Sequence, residues 1–525
     1  MLFKKLFKSK IRKIDPWIPT QESRNIKIGK DLKANQNHFQ EIFGHTSDFY
    51  IESLYIGQRE ALICYLTTMT DEQAINDKIV LSLSVASVNP LSIDNESELE
   101  QFCKEKLAGT QLQLLEYETQ VIDNILSGHV ILFIKDFTKA ISIRMNSIST
   151  RSIEEPSTQG IIRGPKDGFT ESSDTNLSLI RRRIKNPSLR FEKHTLGSDT
   201  STTVYVCYID GIVNHGILEE INKRISDITT NAMFDSGTLE ELITDKTITL
   251  FPLIFNSERP DSISANLVEG KIAIIVDGSP FALLLPTVFN DFFQISEDYY
   301  HPFLMSSFAR MIRYLSFMIS LLFPSLYLSV ITYHIEIIPT SLLVSLTSQR
   351  ENIPFPALFE IFIMEITFEI LREAGARMPK AVGPTVSIVG GLVIGQAVIE
   401  AGIVSTSTVI IIALSTISSF VSPIYSFAVS TRLLRFILIL FASVFGLYGV
   451  ALGLIILIGH LCGLRSFGIP YMAPFAPFII EDQKDVIFRF PTFSLKNRPS
   501  YLKTEKPLRQ PNVEPPTPPM EEDSG

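Results

Sequence analysis

Glu360, Glu365 and Glu369 lie in residues 353–371, IPFPALFEIFIMEITFEIL, where every other residue is uncharged. A carboxylate inside an apolar helix is costly, so it faces a polar cavity, a charged partner or water. Oxygen ligands and negative charge are also what a cation path uses to replace lost hydration. On a helix, Glu365 and Glu369 share one face about 40° apart, while Glu360 sits about 140° from Glu365. Arg372 and Arg377 stand at helical spacing to pair with Glu369 and Glu373, as neighbours one turn apart do. Glu365 is then the least obviously neutralised of the three and Glu360 the next, which makes Glu365, Glu360 and Glu369 candidate pore-lining residues. The competing reading is that these carboxylates cap, pair or contact another subunit.

A second group lies downstream. Gly390, Gly391 and Gly395, with Gln396 and Glu400, include the run GLVIG. Small residues four apart let helix backbones approach closely, so this is a helix-packing site. A glycine hinge used in gating is the sharper alternative, and Glu400 is expected to end the helix at an interface.

These residues need elements to hold them. Residues 314–333 are uncharged and twenty long, about 30 Å of helix, which matches the hydrocarbon core of a bilayer. Pro324 falls inside this stretch, and membrane helices tolerate that when neighbours re-satisfy the backbone. Residues 381–399, 401–431 and 436–464 are also free of Asp, Glu, Lys and Arg except for Arg432 and Arg435, which lie between or at the edge of them. With 353–371 this gives five membrane-associated segments, the last two long enough to hide a kink or a re-entrant turn. Arg310/Arg313, the Arg372/Arg377/Lys380 cluster and Arg432/Arg435 alternate with poorly basic connections. By the positive-inside rule that pattern places the large N-terminal region in the cytoplasm.

The remainder reads differently. The whole chain of 525 residues is 20% charged and 45% hydrophobic, but the charge is concentrated outside the apolar stretches. Residues 60–66, 129–135, 203–208 and 271–276 have the apolar runs of strands, and 217–228 the pattern of a helix. Residues 122–134 (IDNILSGHVILFI) and 264–276 (SANLVEGKIAIIV) repeat one design: a short helix, a glycine (Gly128, Gly270), then a buried strand. The fold class expected is an α/β cytoplasmic region of two subdomains followed by an α-helical multi-span membrane domain. The domains are a basic tail (1–37), α/β subdomains at 38–160 and 161–300, a transmembrane helical domain at 301–480, and a polar, Pro-rich, largely disordered tail at 481–525.

Other features carry less. MLFKKLFKSKIRK is basic but lacks the apolar core of a cleavable signal peptide. Arg181, Arg182 and Arg183 suggest either an anion site or an inter-domain contact bound to carboxylates. Cys64, Cys103, Cys207 and Cys462 are far apart, without a CxxC pair, and are read as reduced thiols. There is no GxxxxGK[ST], HExxH, GxSxG or GxGxxG, so no enzyme, cofactor or metal site is expected. Asp277-Gly278-Ser279-Pro280 is read as a turn. No basic run interleaved with aromatics suggests a nucleic-acid groove.

Several blocks at this spacing resemble the A subunits of the GerA-type spore germination receptors. They are 163–170 (RGPKDGFT) with 176–184 (NLSLIRRRI), 251–286 (with ERPD, VEG, IVDGSPF and LLLP), 292–299 (FFQISEDY), 368–379 (FEILREAGARMP) and 388–402 (IVGGLVIGQAVIEAG). The resemblance covers roughly residues 160–470. It implies a protein of the spore inner membrane that works with a transporter-like, germinant-binding B subunit and a lipoprotein C subunit. It also implies a homo-oligomer forming a nutrient-gated cation-release channel. A non-conducting scaffold or signal-relay subunit is the alternative, as is a relative of the stage V sporulation protein AF type that amplifies ion release.

Overall fold

The computed structural model describes residues 26–56, 59–81, 111–145, 154–351, 353–377, 391 and 395–510. The basic N-terminal residues up to 25, Cys103, Gly390 with most of 381–399, and the acidic end at 511–525 lie outside the described residues. The chain divides into two compact units. One comprises Met1–Thr244, Ile254–Pro286 and Leu495–Gly525; the other comprises Asp245–Leu253 and Thr287–Ser494.

The first unit holds two five-stranded antiparallel sheets. The first contains β1 (Phe49–Ile56), β2 (Arg59–Leu66), β3 (Leu112–Leu115), β4 (His129–Ile134) and β5 (Ala140–Arg144), in the order β1-β2-β4-β5-β3. The second contains β6 (Leu189–Leu196), β7 (Thr202–Ile209), β8 (Phe255–Ser257), β9 (Ile272–Val276) and β10 (Ala282–Leu285), in the order β6-β7-β9-β10-β8. The two orders are the same, so the helix–glycine–strand echo belongs to a repeated α/β plan. Gly128 and Gly270 each close their helix at positive φ, 82° and 98°, a conformation only glycine adopts without strain. The repeat extends to a signal not expected from the sequence: Cys64-Tyr65 and Cys207-Tyr208 occupy matching places in β2 and β7. Along β2, Ala61, Ile63 and Tyr65 enter one apolar cluster, whereas Leu62, Cys64 and Leu66 enter another. Both faces of that sheet are therefore covered, as period-two alternation dictates.

Arg181 and Asp48 join the two subdomains. The guanidinium is fully buried and donates from Nη2 to Asp48 Oδ1 at 2.8 Å and from Nε to Oδ2 at 3.1 Å. It also donates to the Leu189 carbonyl, while Arg183 pairs with Asp167 at 2.6 Å. Arg181 and Arg183 are thus bound to carboxylates. Asp277 accepts from the backbone of Ser173 at 3.0 Å, so the turn after β9 fastens the Ser173–Arg183 helix.

Residues 495–510, expected within a disordered tail, form a strap on the second subdomain. Leu502 is fully buried, and its carbonyl accepts from Asn214 at 3.1 Å. Arg498 donates to the carbonyls of Val268 and Lys506 at 2.8 and 2.9 Å, and Arg509 pairs with Glu269 at 3.2 Å. Composition read these residues as polar; the strap forms because their carbonyls and guanidinium groups find buried partners.

The second unit is helical. Its long helices are Phe303–Tyr333, Ala357–Arg377 and Tyr425–Gly463, with shorter ones at Thr340–Arg350 and Thr406–Ser419. Among the described residues, Phe303–Tyr333 and Tyr425–Gly463 are long and apolar enough to cross a membrane. The helices divide the apolar stretches more finely, and the two longest do contain a break. Residues 314–333 are the latter part of a helix that begins at Phe303. Residues 401–431 are not one segment, because the Thr406–Ser419 helix ends before a new helix opens at Tyr425. Residues 436–464 are not one span either, since Gly446 takes φ 59° and ψ −138° within the last helix. A Cβ placed on Gly449 would lie 2.0 Å from the Phe441 carbonyl oxygen, and one on Gly453 would lie 2.6 Å from Leu438 Cδ2. Residues eight and fifteen apart cannot touch on a continuous helix. The chain therefore reverses at Gly446 into a tight helical hairpin with arms 425–445 and 447–463.

Candidate functional site

The site grows from an inversion of the usual helix pattern. In the Phe303–Tyr333 helix the buried positions include Ser306, Arg310, Arg313, Ser316 and Ser320 along with Leu321 and Leu328, while Leu304, Phe308, Met311, Leu315 and Met318 are exposed. The Thr406–Ser419 helix buries Thr408, Ser415, Ser418 and Ser419 and exposes Ile410, Leu414 and Ile417. The first arm of the hairpin buries Ser430, Thr431, Arg432 and Arg435 and exposes Leu433, Ile437 and Leu440. A helix in water hides its apolar face. These helices hide their polar residues beside a buried apolar cluster that includes Leu328, Ile412 and Ile439 and turn large apolar side chains outward, an arrangement that suits a hydrocarbon surround.

The acidic helix, Ala357–Arg377, follows the same rule. Phe359, Ile363, Ile366 and Ile370 face outward, while Glu360 and Glu365 are 0% and 1% exposed. Glu365 Oε2 pairs with Arg435 Nη2 at 2.8 Å, and Arg435 Nη1 donates to Ser415 Oγ at 2.6 Å. Glu365, the least obviously neutralised of the three by helical spacing, thus has a charged partner. Its partner lies on the hairpin, out of reach of any argument from helical spacing. Glu360 accepts from the backbone N–H and hydroxyl of Ser405 at 3.0 and 2.9 Å and from Thr408 Oγ1 at 3.2 Å. Its carboxylate therefore sits on the N-terminus of the Thr406–Ser419 helix, where free N–H groups and the helix dipole favour negative charge. Arg350 adds an ion pair to Glu360 at 3.2 Å. Glu369 pairs with Arg372 and reaches Arg432 at 3.7 Å, and Arg377 pairs with Glu373 at 2.5 Å.

The basic residues taken as flanking charges are likewise internal. Arg310 is fully buried and pairs with Asp298 at 3.1 Å and Asp485 at 2.8 Å. Arg313 also pairs with Asp298. Arg432 and Arg435 stand on the buried side of the hairpin. These arginines are engaged inside the unit. Arg435, Arg350, Ser405 and Ser415 are the site residues that the sequence reading missed. The available signal was two arginines within residues 425–463, which contain no other Asp, Glu, Lys or Arg.

Of the glycine group, Gly391 and Gly395 are among the described residues and Gly390 is not. A Cβ on Gly391 or Gly395 would meet no described atom within 4 Å, and Gln396 donates to Glu400 at 2.9 Å. Among the described residues, close approaches at small residues occur at Gly446, Gly449 and Gly453. No group of three or more His, Cys, Asp or Glu among the described residues could hold a metal ion.

The family model described as Bacillus/Clostridium GerA spore germination protein matches residues 37–501. The chain is 42% identical over 493 residues to spore germination protein KA of Bacillus subtilis (strain 168), covering 93% of this chain and 90% of that protein. It is 44% identical over 480 residues to the uncharacterized membrane protein YfkQ of the same organism, covering 91% and 93%. A crystal structure of the N-terminal domain of the A subunit of the Bacillus megaterium spore germinant receptor GerK3 is 32% identical. It covers 50% of this chain and 97% of that one, with a TM-score of 0.40.

Proposed function

The chain belongs to the GerA family of spore germination proteins, and from that premise we propose that it is the A subunit of a nutrient germinant receptor. In this reading it is a multi-pass protein of the spore inner membrane with its α/β unit in the cytoplasm. It has no enzymatic role, and it works with a transporter-like, germinant-binding B subunit and a lipoprotein C subunit. It assembles with copies of itself into a nutrient-gated cation-release channel.

The observation that carries this reading is the set of polar residues buried behind apolar outer faces, with Glu360 and Glu365 among them against Arg350 and Arg435. Ionisable groups at membrane depth mark ion pathways or the switches that control them. In the closed arrangement Glu365 is held by Arg435, so opening requires the carboxylate to exchange that partner. The same pairs favour a second reading, a non-conducting relay subunit in which they lock the helices together.

Potassium release from spores carrying Glu360→Gln or Glu365→Gln separates the two, with immunoblots for all three subunits. Conduction is expected to give normal subunit levels with slowed release or an altered preference between potassium and sodium. Unchanged release kinetics and ion preference in both variants and in their double would remove the acidic helix from the path and leave the relay reading.

A further inference from the structure

The helical unit contains a small recess, of a size for a single water, walled on its apolar side by Phe293, Phe317, Pro423, Phe427 and Ala428 and not lined by the Glu365–Arg435 pair. Its polar lining comes from Ser320, Ser418, Ser419, Ser422, Thr431 and Arg313. Ser419 and Thr431 donate their hydroxyl protons to the carbonyls of Thr416 and Phe427, at 2.6 and 2.9 Å. Their oxygen lone pairs remain free to accept. Ser320, 1% exposed, has an Oγ with no hydrogen-bond partner among the described residues. Arg313 is held by Asp298 and by the Phe293 carbonyl, so the recess carries no unmatched charge that would call an anion. The guanidinium at its wall disfavours a cation.

A neutral ligand that both donates and accepts fits this lining, and we propose that the recess is a water site. A buried hydroxyl without a partner is unfavourable in a low-dielectric interior. A buried water typically satisfies about three such groups. The site also connects to the candidate machinery. The Ser320 carbonyl accepts from Ser415 Oγ at 3.1 Å, and Ser415 Oγ accepts from Arg435. Ser320 and Ser415 thus lie between the recess and the Glu365–Arg435 pair. Ser325, fully buried on the same helix with an unpartnered Oγ, continues the hydroxyl series. The inference rests on the membrane placement proposed above and is independent of conduction.

X-ray radiolysis of the full-length chain in lipid nanodiscs tests it, because hydroxyl radicals form from bound water and label the side chains beside it. Phe293 and Phe427 line the recess at 2% and 1% exposure. They are expected to be labelled several-fold faster than Phe133 and Phe191, which are 1% and 0% exposed in the α/β sheets. Ser320→Val removes the hydroxyl and fills its space, and the excess labelling is expected to vanish while the melting temperature is retained. Ser320→Ala, which adds no volume, replaces it if the valine variant fails to reach the membrane, and the excess labelling is expected to fall. Labelling of Phe293 and Phe427 at the rate of Phe133 and Phe191 overturns the proposal, as does excess labelling that survives loss of the Ser320 hydroxyl. Neither result bears on potassium release, so this inference and the conduction reading fail separately.

Discussion

Glu365 and Arg435 are each almost wholly buried, at 1% and 2% side-chain exposure, and the energetics of such a pair are asymmetric. Removing both charges is often nearly neutral, because the desolvation of two ions disappears with their attraction. Removing one leaves the other buried and unmatched, at a cost of about 3–5 kcal/mol. Glu365→Gln and Arg435→Gln are each expected to lower the unfolding temperature of the full-length chain in detergent. The double variant is expected to be more stable than either single one. A double variant as unstable as the sum of the singles would show that the two residues do not act as a pair. The carboxylates themselves were legible as charges in an apolar stretch. Their partners were not, except where a helical turn joined them, as for Arg377 and Glu373.

The hairpin is the element on which the helical unit turns. Gly446 lies in a region of backbone space that is essentially closed to residues with a Cβ, at an expected strain of about 1–3 kcal/mol. A Cβ there would also lie 2.9 Å from Tyr333 Cβ, and Tyr333 Oη donates to the Ser443 carbonyl beside the turn at 2.5 Å. Gly446→Ala is therefore expected to reduce the amount of folded protein in the membrane fraction and to lower its melting temperature. Gly459→Ala on the second arm, where a Cβ meets nothing within 4 Å, is the control and is expected to leave both unchanged. Hydropathy locates the apolar stretch well but does not count its crossings. The reversal rests on one residue's φ and ψ, and the GLYGVALG run that permits it differs little in composition from a straight membrane helix.

At the scale of the whole molecule, the chain returns after its long apolar helices to bind its own α/β unit. The strap crosses Gly270, where φ is 98° and a Cβ would lie 2.4 Å from Thr504 Cγ2. Gly270→Val is expected to displace the strap, seen as faster amide exchange across residues 495–510, and to strain the turn into β9 as well. Protection of the strap equal to that of the unaltered chain would show that this contact does not hold it. The sequence by itself determined the two-part character of the protein, the strands and the helix–glycine–strand repeat of its α/β half, the apolar stretches, and the carboxylates set among them. Those features depend on local composition and on periods of two and 3.6 residues, which any segment carries with it. The tertiary structure alone decided that Glu365 meets Arg435, that Glu360 caps the Thr406–Ser419 helix, that Arg310 and Arg313 are internal, and that residues 495–510 are bound. Each of these joins segments far apart in the chain, and the join is set by where the backbone reverses and which buried polar groups are left needing a partner.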